Sequence, residues 1–157
     1  MSNEADIIRA AEALSSKDEE ALLLEIGLRD KMLQANPAQA NEPSLAVAYD
    51  SPHMGLIDDI KALGTRIMNR WNKELYGVVC GKKPGGGAES DEDKKIRKDL
   101  LKALNLGDAA VIATVATGLI VLGAPAAIAA PVAPFLVKKF IMPAKEKLCD
   151  AWGEALA

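Results

Sequence analysis

A chain of 157 residues, half of them hydrophobic, is long enough to bury a core of its own, as one domain or one domain with an appendage. A net charge of −3 and a pI near 5.3 speak against generic nucleic-acid binding. The opening Met1-Ser-Asn-Glu-Ala-Asp6 has neither the basic nor the apolar part of a secretory signal, so synthesis in the cytoplasm is expected.

The charge is unevenly spread. Residues 1–90 carry 14 acidic and 10 basic side chains, and residues 91–157 carry 8 and 9. The chain divides accordingly into an acidic helical region, 1–80, suited to shielding or regulation, a flexible Gly/Pro linker, 81–89, and a basic-flanked hydrophobic hairpin region, 90–157. The fold class expected is all-α: a small bundle of about five to seven helices around an uncharged Ala/Val/Leu-rich helical hairpin.

In chain order, Ser2 or Asn3 can cap a first helix to Leu14 that buries Ile7, Ala11 and Leu14. Ser16-Lys-Asp-Glu19 reads as a capping box for a second helix to Gln34, with Leu22, Ile26 and Leu33 on one stripe and Leu24, Leu28 and Met32 widening it. Asn36–Asp50 has no helical period and two prolines, which predicts an ordered loop. Ser51-Pro52 starts a third helix, and Leu56, Ile60, Leu63, Ile67, Trp71 and Leu75 recur at helical spacing until Gly77 ends it. After the glycine-rich linker, Ser90 caps a fourth helix with Ile96, Leu100 and Leu104 on its buried face.

Ala109–Val137 follows, 29 residues without a charge. Gly107-Asp108 opens one helix, and Gly123-Ala124-Pro125 closes it and starts the next. Val111, Ile112, Val115, Leu119 and Leu122 share a bulky face on the first arm; Ile128, Val132, Phe135 and Leu136 form one on the second. Ala109 and Ala113 lie opposite on the first arm, and Ala126, Ala130 and Ala133 on the return arm. Small residues at this spacing let helix backbones approach closely, so the alanine stripes are expected to meet and the bulky faces to turn outward. Pro131 and Pro134 are expected to interrupt the return arm. Pro143 then kinks the chain, and Leu148 and Trp152 make a last apolar stripe, with Trp152 suited to a membrane interface or to capping a core.

Chemistry finds little purchase. His53 is the sole histidine, and with Cys80 and Cys149 it offers no metal-ligand spacing and nothing that brings a Cys–His pair together. Two such cysteines are expected to stay reduced in the cytoplasm. Gly81–Glu89 puts its lysines before its glycines and lacks the phosphate-loop order. Asp58 and Asp59 are neighbours that diverge on a helix. No catalytic residue, cofactor, metal or small-molecule substrate is expected, and the chain is read as a non-enzyme.

What the hairpin offers is membrane contact. Its first arm, at about 1.5 Å per residue, covers about 22 Å, short of the hydrocarbon thickness of about 30 Å. Its strong apolar residues supply roughly −2 to −5 kcal/mol of insertion free energy, a marginal figure that a trigger can tip. Lys98 and Lys102 before it, and Lys138, Lys139, Lys145 and Lys147 after it, are placed to meet anionic headgroups at the inner face of a membrane. Lys82-Lys83 offers a cleavable pair by which the acidic part could be separated. An apolar hairpin enclosed by polar helices resembles the general scheme of helical pore-forming toxins, at the level of arrangement alone. The expected function is membrane association or pore formation, with an anionic membrane as one partner and self-association or a partner protein as the other. The alternative is a soluble all-α adaptor in which the hairpin is a buried core or a subunit interface.

Overall fold

The capping and periodicity signals resolve into seven α-helices and no strand among the residues described by this computed structural model, which are 4–45, 57–81 and 90–156. The helices are α1 (Glu4–Leu14), α2 (Glu19–Ala35), α3 (Ile57–Val79), α4 (Asp91–Ala103), α5 (Asp108–Val121), α6 (Ala126–Leu136) and α7 (Leu148–Leu156). The architecture is the expected small all-α bundle. The expected caps Ser2 and Asn3, the helix start at Ser51 and His53 lie outside the described residues.

Several boundaries shift for local reasons. The N-cap of α2 is Asp18 rather than Ser16: its carboxylate accepts from Ala21 N at 2.8 Å, while the Ser15 and Ser16 hydroxyls donate backwards to Glu12 and Ala13 carbonyls. The loop after α2 contains a short 3-10 turn, Pro37–Asn41, and buries Leu45. Gly77 does not end α3. It is buried within the helix, which runs on to Val79, and Gly81 just beyond holds the positive φ of 68°. Ser90 and Asp93 form the reciprocal capping box that opens α4. Arg97 of α4 then donates to the Val79 carbonyl at 2.8 Å, covering an acceptor left open at the end of α3.

The α2–α3 pair is packed backbone to backbone. A Cβ on Gly27 would lie 2.1 Å from the Ile60 carbonyl oxygen, and one on Gly64 would lie 2.0 Å from that of Leu23. Only glycine at both sites permits so close a crossing. Against this pair lies α6, at the centre of the molecule, with α1, α2, α3 and α5 all packed on it. The acidic and basic halves of the chain therefore share one hydrophobic core, continuous from Ile7 to Trp152. Beyond α6 the chain makes a π-type turn, Val137–Ile141, and bends by 76° into the segment carrying α7. Trp152 is wholly buried, so it belongs to the core and not to the surface.

Candidate functional site

The hairpin forms as expected. Gly123, at a φ of +106°, turns the chain between its arms, and Pro125 stands at the N-cap of α6. The direction of its faces is another matter. On α5 the bulky residues Val111, Ile112, Val115 and Leu119 are buried and Leu122 is half-buried, whereas Ala109 is exposed and Ala113 only half-buried. This reverses the expected alanine-to-alanine packing of the two arms. The physical reason is that α5 has several neighbours, α1 and α4 as well as α6, and turning in a Val, Ile or Leu gains about 1.5–3 kcal/mol, far more than an alanine. On α6 no face is spared. Every residue from Ala126 to Leu136 is buried, so Ile128, Val132, Phe135 and Leu136 lie inside together with Ala126, Ala130 and Ala133.

The prolines of α6 do not break it, and at Pro131 the structure supplies what the ring removes. Pro131 has no N–H, so the carbonyl of Ala127, four residues earlier, loses its helical donor. Arg29 of α2 takes that place: its Nη1 donates to Ala127 O at 3.0 Å and to Pro43 O at 2.6 Å, while Nε donates to Glu25 Oε2 at 2.8 Å. Both side chains of this ion pair are about 4% exposed. A charged pair buried this deeply holds position more than it adds stability, and removing one member leaves the other uncompensated. Arg29 thus pins the first turn of α6 to α2. Sequence reasoning gave neither Glu25 nor Arg29 a role. The signal was present, since Leu22, Glu25, Ile26 and Arg29 follow the i, i+3, i+4, i+7 spacing of one buried face.

The opposite side of α5 borders an open groove of about 640 Å³ between α5, α4 and Ile8 of α1. Ala110, Ala113, Thr114 and Thr117 lie on its floor. The two threonine hydroxyls each donate to the carbonyl four residues back at 2.9 Å, which removes their polarity from the floor. Lys95, Asp99 and Lys102 line the rim; Leu106, 73% exposed, and Val121, 49% exposed, stand towards the ends of α5.

The cationic residues expected at the feet are all exposed: Lys98, Lys102, Lys138, Lys139, Lys145 and Lys147. Two of them meet the start of α2. Lys138 Nζ donates to the Lys17 carbonyl at 3.3 Å, and Lys139 Nζ lies 3.4 Å from Glu19 and 5.5 Å from the Phe135 ring centre.

At the far end of the core, α7 is fastened to α3. Trp152 Nε1 donates to Asn72 Oδ1 at 2.6 Å, Tyr76 meets the Trp152 ring edge-on at 5.4 Å, and the Tyr76 hydroxyl donates to the Cys149 carbonyl at 3.3 Å. Cys80 and Cys149, with Cα atoms 5.6 Å apart, form a disulfide. This corrects the expectation of two reduced cysteines: the fold brings together the end of α3 and the start of α7, which sequence spacing cannot show. Lys82 and Lys83 lie outside the described residues, but a cut beside them would leave both parts joined through this bond. Asn72 is fully buried and its Nδ2 has no partner, which costs on the order of 1–3 kcal/mol.

No group of metal-ligating side chains occurs among the described residues. No single helix among them is long and apolar enough to cross a membrane; by length and composition, the bent pair Ala126–Ile141 and Lys145–Leu156 comes nearest. What the arrangement offers is a fully buried apolar helix and an open, largely apolar groove. Neither protein-family models, nor curated proteins, nor solved structures yield a match to this chain.

Proposed function

We propose that this protein is a non-enzymatic, membrane-associating helical effector that holds its apolar hairpin inside a closed bundle until it meets a bilayer. The observation that carries this reading is the complete burial of α6 over eleven uncharged residues, at the centre of a shell of helices bearing the charges. A helix apolar on every side suits two surroundings, a protein interior or lipid. With arms of about 21 Å or less at 1.5 Å per residue, the hairpin would enter a bilayer without spanning it. The exposed lysines around it would stay with anionic headgroups.

Flotation with phosphatidylglycerol vesicles tests the reading, run both with and without a dithiol reductant. Flotation in at least one state is expected, and protein absent from the vesicle fraction in both states overturns it. The informative variant is Val121→Lys. Val121 is half-exposed in the closed bundle, so a lysine there leaves the fold intact, yet it lies beside the hairpin tip that would enter deepest. A lysine near the bilayer centre costs about 2.5–3.5 kcal/mol, so the bound fraction should fall by about two orders of magnitude. Equal flotation of variant and parent would show that α5 does not enter lipid.

The groove along α5 favours a second reading, an all-α interaction module that receives a partner on the small-residue face. Loss of partner capture on Ala113→Arg, with vesicle binding absent throughout, would support it over the first.

A further inference from the structure

The α3–α7 joint is unlike the other contacts in the bundle. On the α3 side its residues are Asn72, Tyr76 and, just past the helix end, Cys80, spaced four apart; on α7 they are Cys149, Trp152 and Gly153. Gly153 lets the two helices meet closely, because a Cβ there would lie 2.6 Å from the Tyr76 hydroxyl. The non-covalent part of the joint contains a flaw, the fully buried Asn72 amide whose Nδ2 has no partner. The covalent part closes a loop from residue 80 to residue 149 that contains α4, α5 and α6, and so the whole hairpin.

We propose that the Cys80–Cys149 disulfide is a redox latch. While it is closed, α7 stays on α3 and the hairpin stays inside the bundle; reduction by a dithiol frees α7 and lets α6 leave its site. The purpose of the latch rests on the membrane reading above, but the release of α7 does not.

The bond is open to such a reagent. Both cysteines are only partly buried, and Cys149 lines an open depression with Tyr76, Lys147, Asp150 and Glu154. A thiolate of the dithiol attacks one protein sulfur; the Cys80–Cys149 bond breaks and the other cysteine leaves as a thiolate. The reagent's second thiolate then attacks the mixed disulfide and closes the reagent's own S–S bond. Two electrons pass from the dithiol to the protein, and the two protons released by the dithiol end on Cys80 and Cys149.

Once reduced, α7 keeps only the Trp152–Asn72 hydrogen bond, the Tyr76 contacts and its share of apolar packing. The loop from 80 to 149 no longer has its ends fixed together, which raises the entropy of opened forms of the chain. The protein would then stay shut where thiols are scarce and yield where they are abundant.

Hydrogen exchange by mass spectrometry on the full chain reads the latch directly. Amides of Leu148–Leu156 and Ala126–Leu136 should exchange at least about tenfold faster after dithiothreitol treatment, and equally fast in Cys149→Ser without reductant. Unchanged protection in both preparations overturns the proposal, as does an intact mass showing two free thiols before reduction. Flotation with phosphatidylglycerol vesicles separates this from the broader reading. Binding that rises with reduction supports both, and strong binding that is equal in the two states refutes the latch. Faster exchange without binding in either state supports the latch and refutes the membrane role.

Discussion

The two arms of the hairpin are both strongly apolar, but their surroundings differ. α6 is buried on every side; α5 buries its bulky residues and leaves its small ones beside an open groove. Alanine therefore does different work in each. In α6 it lets α1, α2, α3 and α5 close around one helix, while in α5 Ala116 is buried but Ala109, Ala110 and Ala113 are left on the less covered side once valine, isoleucine and leucine have been turned in. Apolar character sets how strongly a segment avoids water, but the number of neighbours decides which of its faces are covered.

This contrast can be broken in graded steps. The largest effect is expected from Arg29→Met, which strips the donor from the Ala127 and Pro43 carbonyls and breaks the buried ion pair with Glu25. Urea denaturation should show a loss of about 3–5 kcal/mol, and a loss below about 1 kcal/mol would mean that α6 is not pinned by α2. Next comes Ala130→Leu in α6, where overpacking should cost about 1–3 kcal/mol in the same titration. Its counterpart Ala109→Leu, on the exposed side of α5, should stay within about 0.5 kcal/mol of the parent. Equal costs at the two alanines would erase the distinction between the arms. The smallest change is expected from Thr117→Val. The hydroxyl serves only the Ala113 carbonyl of its own helix, so a shift of less than about 0.5 kcal/mol in the thermal midpoint free energy is expected.

Much of the architecture was legible because it depends on local signals. Ser90 with Asp93, Gly123 before Pro125, and the stripe through Ile60, Trp71 and Leu75 each specify an element within a few residues. The orientation of α5 was not legible, since it depends on how many helices surround it. The pin was half legible. Pro131 announces an orphaned carbonyl at Ala127, and the face shared by Leu22, Glu25, Ile26 and Arg29 announces a buried ion pair, yet nothing in one dimension says that the two meet. The bond between Cys80 and Cys149 was hidden for the same reason, across 69 residues. Of the proposed membrane contacts, the residue types were plain from the sequence, but their present burial required the fold.

The helices that enclose α6 also set a timetable. α1 and α2 pack directly on it and are made first, whereas the apolar stretch begins only at Ala109. At about 5–20 residues per second, α1 and α2 are complete several seconds before the first hairpin residue is added. During translation the chain therefore carries the walls of the chamber before it carries the contents, and α7 follows the hairpin. Moving α1 and α2 behind the hairpin by circular permutation would reverse that order. The yield of such a permuted chain would measure how far safe handling of the hairpin is a matter of when its cover is synthesised.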